Sequence, residues 1–297
     1  MQLRGIFAAL TTPFDDSGEL RLDLFERNLA SYESTELAGY LVLGSSAEAI
    51  YLTTDEKRAV LRAAANVQKI KLAGTGEESL RATVEMTRYA ASLGYAAAVV
   101  RTPHYYKKSM TPAALIGFYR DLADTSPIPI ILYNIPPLTG IDLTLDATIA
   151  LASHPNIVGL KESSGNTDKL VRLMAAGLPN FAVLVGGAST LYPSLCAGAS
   201  GAILALAAAA PEACLAIENA YRAGNHARAL AAQQAVLRAC AAFEALSIAG
   251  LKGAVDVAGD GARYGGPPRK PQLPLTAAQK QALAEAFAGL RIAVPAS

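Results

Sequence analysis

Residues 156–168 run NIVGLKESSGNTD, an apolar stretch that ends on a lysine. Ile157, Val158 and Leu160 form a short run that Gly159 keeps slim, and Lys161 stands at its end. Turn-forming Ser163, Ser164, Gly165 and Asn166 follow at once. A run that is apolar throughout, rather than at every second position, suits a strand covered on both faces, as in a parallel sheet. Lys161 then has two readings. In one, it is a strand-end cation whose ammonium snorkels to water. In the other, it is held inside, desolvated and neutral, as an amine able to attack a carbonyl.

The same kind of run recurs along the chain: GIFAAL (5–10), GYLVL (39–43), KLAG (71–74), AAAVV (96–100), IPIILY (128–133), FAVLV (181–185) and GAIL (201–204). Between them lie amphipathic stretches with helix-start signals. Thr54 and Asp55 lead one, Ser109 to Pro112 another, Thr144 a third, and Pro211 opens a fourth. Eight strand–helix units point to an α/β fold, a closed (β/α)8 TIM barrel over residues 1–224. The alternative is a doubly wound open sheet, but neither GxGxxG after the first strand nor GxxxxGK[ST] is present to support a nucleotide site. Beyond Gly224 the pattern changes. Residues 225–259 are alanine-rich and helical, 260–274 carry glycines and prolines, and 275–290 are helical again, so 225–297 is expected to be a small C-terminal helical appendage.

Composition removes several classes of function. At 52% hydrophobic and 17% charged over 297 residues, the chain can bury a substantial core. A net charge of +1 without a basic run gives no footing for nucleic acid. The three cysteines, Cys196, Cys214 and Cys240, lack CxxC spacing and read as small buried hydrophobes in a reducing compartment. His104, His154 and His226 are scattered, so no metal site is expected. The longest strictly apolar stretch, Ala202–Ala210, is too short to span a bilayer, and residues 1–20 show no signal-peptide pattern. The chain is expected to be cytoplasmic, with no membrane partner.

In such barrels the chemistry gathers in the loops after the strands. Here those loops hold GSSAE (44–48), RTPHYY (101–106), YNIPPLTG (133–140), KESSG (161–165) and GGAS (186–189). One lysine, several hydroxyls and two sources of tyrosine suit covalent amine catalysis on a carbonyl acid.

With those motifs in order at the expected strand ends, the chain resembles the dihydrodipicolinate synthase / N-acetylneuraminate lyase family of pyruvate-using class I aldolases, from about Gly5 to Leu290. GSSAE stands for the family's GxxGE loop, YNIPPLTG for its YNxPxxTG and GLKESSG for its Schiff-base lysine motif. Gly186, Gly187 and the closing YGGPPRKP also fit. The stretches LAGTGEESLRATVEMT, TPHYYKKSM and LTGIDLTLDATIALASHPNIVGLKES are most similar to 4-hydroxy-2-oxoglutarate aldolases. The resemblance implies a lyase that uses pyruvate or a longer 2-oxo acid without metal or other cofactor, and a homo-oligomer, a dimer or a homotetramer built as a dimer of dimers. It carries the Schiff base to Lys161. Dihydrodipicolinate synthase itself is the alternative, followed by N-acetylneuraminate lyase or a sugar-acid aldolase or dehydratase. A catalytically idle binding relative is the reading from another class, and the presence of both Lys161 and Tyr133 speaks against it.

Under that resemblance Tyr133 is the acid/base, in a relay through Ser45 to Tyr105 of a neighbouring subunit, with adjacent Tyr106 competing for the last place. Ser45 and Ser46, with their backbone amides, are donors for the substrate carboxylate, or form an ordinary helix cap. Ser163 returns to the lysine's strand face two residues on, to bind a distal group or to serve as a turn serine. Gly186 is expected to let the backbone approach substrate, Ile203 to offer a carbonyl near the lysine, and Glu48 to buttress its loop. Two departures stand out. Ala47 replaces a glycine, so an ordinary backbone conformation is expected there. Leu138 stands where true synthases place an arginine for the carboxylate of aspartate semialdehyde, which argues for an aldolase, lyase or dehydratase on another 2-oxo acid.

Overall fold

Each of the eight apolar runs forms a strand, and the strands close on themselves: β1 (Gly5–Ala9), β2 (Gly39–Val42), β3 (Ile70–Gly74), β4 (Ala97–Arg101), β5 (Ile130–Asn134), β6 (Ile157–Glu162), β7 (Ala182–Val185) and β8 (Gly201–Leu204). In this computed structural model, which describes residues 3–293, all neighbours pair in parallel and β8 returns to β1. The outer ends of the two expected units, residues 1–2 and 294–297, lie outside the described residues.

Alternation along the strands divides the core in two. Phe7, Leu41, Leu72, Val99, Ile131, Leu184 and Ile203 fill the barrel. Ile6, Tyr40, Val100, Leu132, Leu160 and Leu204 face outward into the layer covered by helices. Burial on both faces explains why the runs are continuous. Each fully buried leucine or isoleucine contributes about 1.5–3 kcal/mol relative to exposure.

The helix starts follow side-chain chemistry. Thr53 accepts from the backbone of Glu56, whose carboxylate returns to Thr53 in a capping box before helix Thr54–Ala63. Thr111 caps Pro112–Thr125, Thr144 caps Leu145–Ala152, and Asn166 caps Thr167–Ala175. Losing such a cap costs about 1 kcal/mol.

After helix Pro211–Arg222 the chain turns at Gly224, φ +72°, into helix His226–Glu244, capped by Asn225. Helix Ser247–Gly259 follows, then an irregular segment, then helix Ala277–Ala293. Phe243, Leu251, Val255, Leu283 and Phe287 join the same buried cluster as the outer barrel layer. One cysteine departs from expectation. Cys214 and Cys240 are buried, but Cys196 ends the short helix Leu191–Cys196 facing solvent.

Candidate active site

Strand register brings the first two site residues together. Tyr133 of β5 lies opposite Lys161 of β6, and both point into the barrel end beside Leu184. The Lys161 side chain is 4% exposed, and its Nζ lies 4.2 Å from the centroid of the Tyr133 ring. Among the described residues no carboxylate pairs with it. The next residues along, Asn134 and Glu162, point the other way. The Asn134 amide donates to Glu162 at 3.0 and 3.1 Å and to Asp142 Oδ1 at 2.8 Å. Buried Lys169 joins the same cluster, 2.8 Å from Asp142 and 3.3 Å from Glu162. Behind the face that carries Lys161 and Tyr133, then, the two strand ends are tied by a paired polar network.

The Tyr133 hydroxyl lies 3.4 Å from Ser45 Oγ, so the structure brings these two expected residues together. Ser45 and Ser46 open a single 3-10 turn, Ser45–Ala47. Ala47 has an ordinary conformation, as its side chain requires. The left-handed strain falls one residue later, on Glu48 at φ +54°. What holds Glu48 there is plain from its partners. Oε1 accepts from Lys252 Nζ at 2.8 Å and Oε2 from the Arg269 backbone N–H at 2.8 Å. Lys252, fully buried, also donates to the Thr12 carbonyl at 2.8 Å. Burial pushes the Lys252 ammonium below the usual lysine range, and Glu48 opposes that shift. Arg269 reaches further, pairing with Glu56 and stacking over Phe14, and holds the Glu56 carboxyl down at about 2. The motif YGGPPRKP is thereby stitched to the serine turn.

The remaining expected residues divide. Ser46, Ser163, Gly186, Ile203 and Leu138 line one cleft with Lys161, Tyr133 and Ser45. Its volume is about 660 Å³, ample for a small acid. Gly186 has a packing reason to lack a side chain: a Cβ there would fall 1.8 Å from Ser163 Oγ. That space belongs to Ser163. Leu138, in the turn Pro136–Thr139, is 63% exposed on the wall. Tyr105 and Tyr106 do not line the cleft. They are 76% and 73% exposed and stack edge to face, with centroids 5.1 Å apart. Their loop is held by Glu78, which accepts from the backbone N–H groups of His104 and Tyr105 at 2.9 Å and from Arg101. Burial raises that carboxyl, but these donors outweigh it and hold it below the usual range.

Sequence reasoning assigns no site residue to the C-terminal helices, yet Phe243, Glu244, Ser247, Ile248 and Leu251 wall the same cleft. Ser247 begins its helix at φ +53°, and no composition signal marks that break. Among the described residues no group of three or more His, Cys, Asp and Glu could hold a metal ion. No helix among them is long and apolar enough to cross a membrane.

The motif geometry agrees with a match to the profile of the Dihydrodipicolinate synthetase family over residues 2–289. The chain belongs to that family. With it, the protein is a carbon–carbon lyase. It is 34% identical to the probable mitochondrial 4-hydroxy-2-oxoglutarate aldolase of Emericella nidulans, over 95% of this chain and 93% of that one. It is 35% identical to the L-threo-3-deoxy-hexylosonate aldolase of Hypocrea jecorina, over 95% and 94%. Proteins named 4-hydroxy-tetrahydrodipicolinate synthase match over shorter stretches, at 35% to 41% identity over 68% to 76% of this chain. The fold superposes with a TM-score of 0.92 on the crystal structure of YagE from E. coli K12 in complex with pyruvate, at 28% identity, covering 98% of this chain and 99% of that one.

Proposed function

We propose that the protein is a class I aldolase that cleaves 4-hydroxy-2-oxo acids to pyruvate and an aldehyde, in the manner of 4-hydroxy-2-oxoglutarate aldolases. The observation that carries this reading is the placement of Lys161. It is a buried amine free of any carboxylate among the described residues, 4.2 Å from the Tyr133 ring, whose hydroxyl in turn meets Ser45.

The amine of Lys161 attacks the 2-oxo carbon, and loss of water leaves an iminium. Tyr133 moves the protons of these steps, with Ser45 as its hydroxyl partner. Removal of the proton from the 4-hydroxyl lets the C3–C4 bond break. An aldehyde leaves, and the electron pair stays on the lysine-bound carbon skeleton as an enamine. Protonation at C3 and hydrolysis then release pyruvate and restore the amine. The 1-carboxylate is bound at the serine turn by the hydroxyls and backbone N–H groups of Ser45 and Ser46. Ser163 faces the substrate beyond the lysine.

In this reading Lys161 supplies the chemistry without metal or organic cofactor. Pyruvate is the proposed ligand of the cleft, and the similar YagE was crystallised in complex with pyruvate. Exposed Tyr105 completes the relay from a second copy of the chain, in a dimer or a dimer of dimers. The cytoplasm is the proposed compartment.

The test is borohydride trapping. Pyruvate plus borohydride is expected to inactivate the enzyme irreversibly, with one adduct per chain on Lys161. Rapid pyruvate release from 4-hydroxy-2-oxo acids should persist in the presence of chelators. Full inhibition by chelators with no lysine adduct would sink the proposal.

A further inference from the structure

The outer part of the cleft carries an acid that none of these steps uses. Glu244 ends helix His226–Glu244 and lines the cleft beside Ser247, with the Gln272 amide also on its wall. No hydrogen bond or ion pair from another described residue engages its carboxylate, and although the residue is exposed at the cleft edge, partial shielding from water moves its carboxyl above the usual range. The other charged side chains that line the cleft are committed. Glu48 is held by Lys252, Glu162 by Asn134 and Lys169, and Lys161 is the reacting amine.

Cations are equally scarce for a substrate's far end. Lys161 is the only lysine or arginine on the cleft wall among the described residues. Lys57 and Arg101 line an adjoining cavity of about 190 Å³, and each is already paired, with Glu77 and Glu78 respectively. Leu138, which borders both spaces, offers only apolar contact. Glu244 and Ser247 are exposed at the cleft edge, so a second carboxylate entering here would keep part of its hydration but would still meet an unpaired acid and no free cation among the described residues. A hydroxyl finds the opposite: a strong acceptor, with hydroxyl and amide groups beside it.

From this, and resting on the aldolase reading above, we infer that Glu244 is a specificity-determining residue for the substrate's tail, accepting a hydroxyl of a neutral, hydroxylated chain in preference to a second carboxylate. The helices beyond the barrel thereby choose the substrate, while the barrel performs the cleavage.

The experiment compares two 4-hydroxy-2-oxo acids, one with a polyhydroxylated tail (2-oxo-3-deoxygluconate) and one with a distal carboxylate (4-hydroxy-2-oxoglutarate). The readout is the ratio of their kcat/KM values within each protein, because damage at the reacting end lowers both alike. In Glu244→Gln the ratio should fall about 10-fold, as a charge-assisted hydrogen bond weakens and the repulsion disappears. In Glu244→Arg it should fall about 100-fold or more, with the dicarboxylate gaining in absolute terms. A ratio unchanged within about 2-fold in both variants overturns the role of Glu244, even if the parent enzyme releases pyruvate normally. Failure of the parent to cleave either compound, with no trapped lysine, removes the aldolase reading and this inference with it.

Discussion

Lys161 and Lys252 are two buried lysines in nearly the same aromatic setting. The Nζ of Lys161 lies 4.2 Å from the Tyr133 ring centroid, and that of Lys252 lies 4.3 Å from the Phe14 ring centroid. Their exposures are 4% and 0%. What separates them is a carboxylate. Lys252 is 2.8 Å from Glu48 and donates to the Thr12 carbonyl, whereas Lys161 has no carboxylate partner among the described residues. Lys169 follows the pattern of Lys252, with Asp142 and Glu162. An aromatic face accommodates a lysine, and the presence or absence of a counter-charge then decides what it is for. The paired lysines clamp loops. The unpaired one is the amine that the proposed mechanism assigns to the substrate.

The widest break in this comparison comes from removing each amine in turn. Lys161→Met should abolish turnover, by on the order of 10⁴-fold or more, since no other group forms the covalent intermediate. The same variant should be as stable as the parent or somewhat more so, because a buried amine without a counter-charge has been replaced by an apolar chain of similar length. Thermal unfolding and pyruvate release measured on one preparation check both halves. A variant that loses stability by several kcal/mol would show that Lys161 is also a structural residue, and the contrast with Lys252 would fail.

Lys252→Met should do the reverse. It strands Glu48 in a dry site at a strained φ, an expected loss of about 3–5 kcal/mol. The double variant Lys252→Met/Glu48→Gln should recover part of that loss, since both charges are then gone. Denaturant unfolding of the single and double variants measures the recovery. Equal stabilities for the parent and Lys252→Met would mean that the pair adds nothing. A smaller effect on turnover is expected from Tyr133→Phe, about 10²-fold, because the ring that packs on Lys161 is retained and only the hydroxyl facing Ser45 is lost. Near-normal turnover in a folded Tyr133→Phe would take this tyrosine out of the proton relay.

The contrast between the lysines was only half legible in the sequence. Strand β6 could be read because a both-faces-buried strand needs no polar interruption, and Lys161 then falls at a strand end of its own accord. Helix starts at Thr111, Thr144 and Pro211 could be read for the same local reason. Lys252 could not. Its partner lies 204 positions away, and the local pattern of the helix gives no hint that its single lysine is fully buried. Glu244 and the break at Ser247 escaped for a related cause: their importance depends on how the last helices lean over the barrel mouth, which no local pattern encodes. Gly186 shows a subtler limit. Its lack of a side chain was legible as a need for close approach, but what approaches is Ser163.

The smallest expected effect concerns Leu138, where the missing counter-charge belongs to the substrate rather than to a lysine. Leu138 is 63% exposed on the cleft wall, so a charged group placed there keeps part of its hydration, and its pairing energy is screened. A buried charge-assisted pair contributes about 1.5–3 kcal/mol, and partial exposure brings the expected gain towards the lower end. Leu138→Arg should therefore raise kcat/KM for condensing pyruvate with aspartate semialdehyde by about 10-fold from a low starting value. Glu244 shares the cleft and opposes a second carboxylate in either protein, which limits the gain further. Combining Leu138→Arg with Glu244→Gln should give more than either change alone. The pyruvate-releasing activity of the parent on 4-hydroxy-2-oxo acids is the reference for all four proteins. If the parent already condenses the semialdehyde efficiently and releases no pyruvate from those acids, the site works as a synthase. Its grip on the second carboxylate then comes from outside this cleft wall, and an unpaired Lys161 serves condensation instead of cleavage.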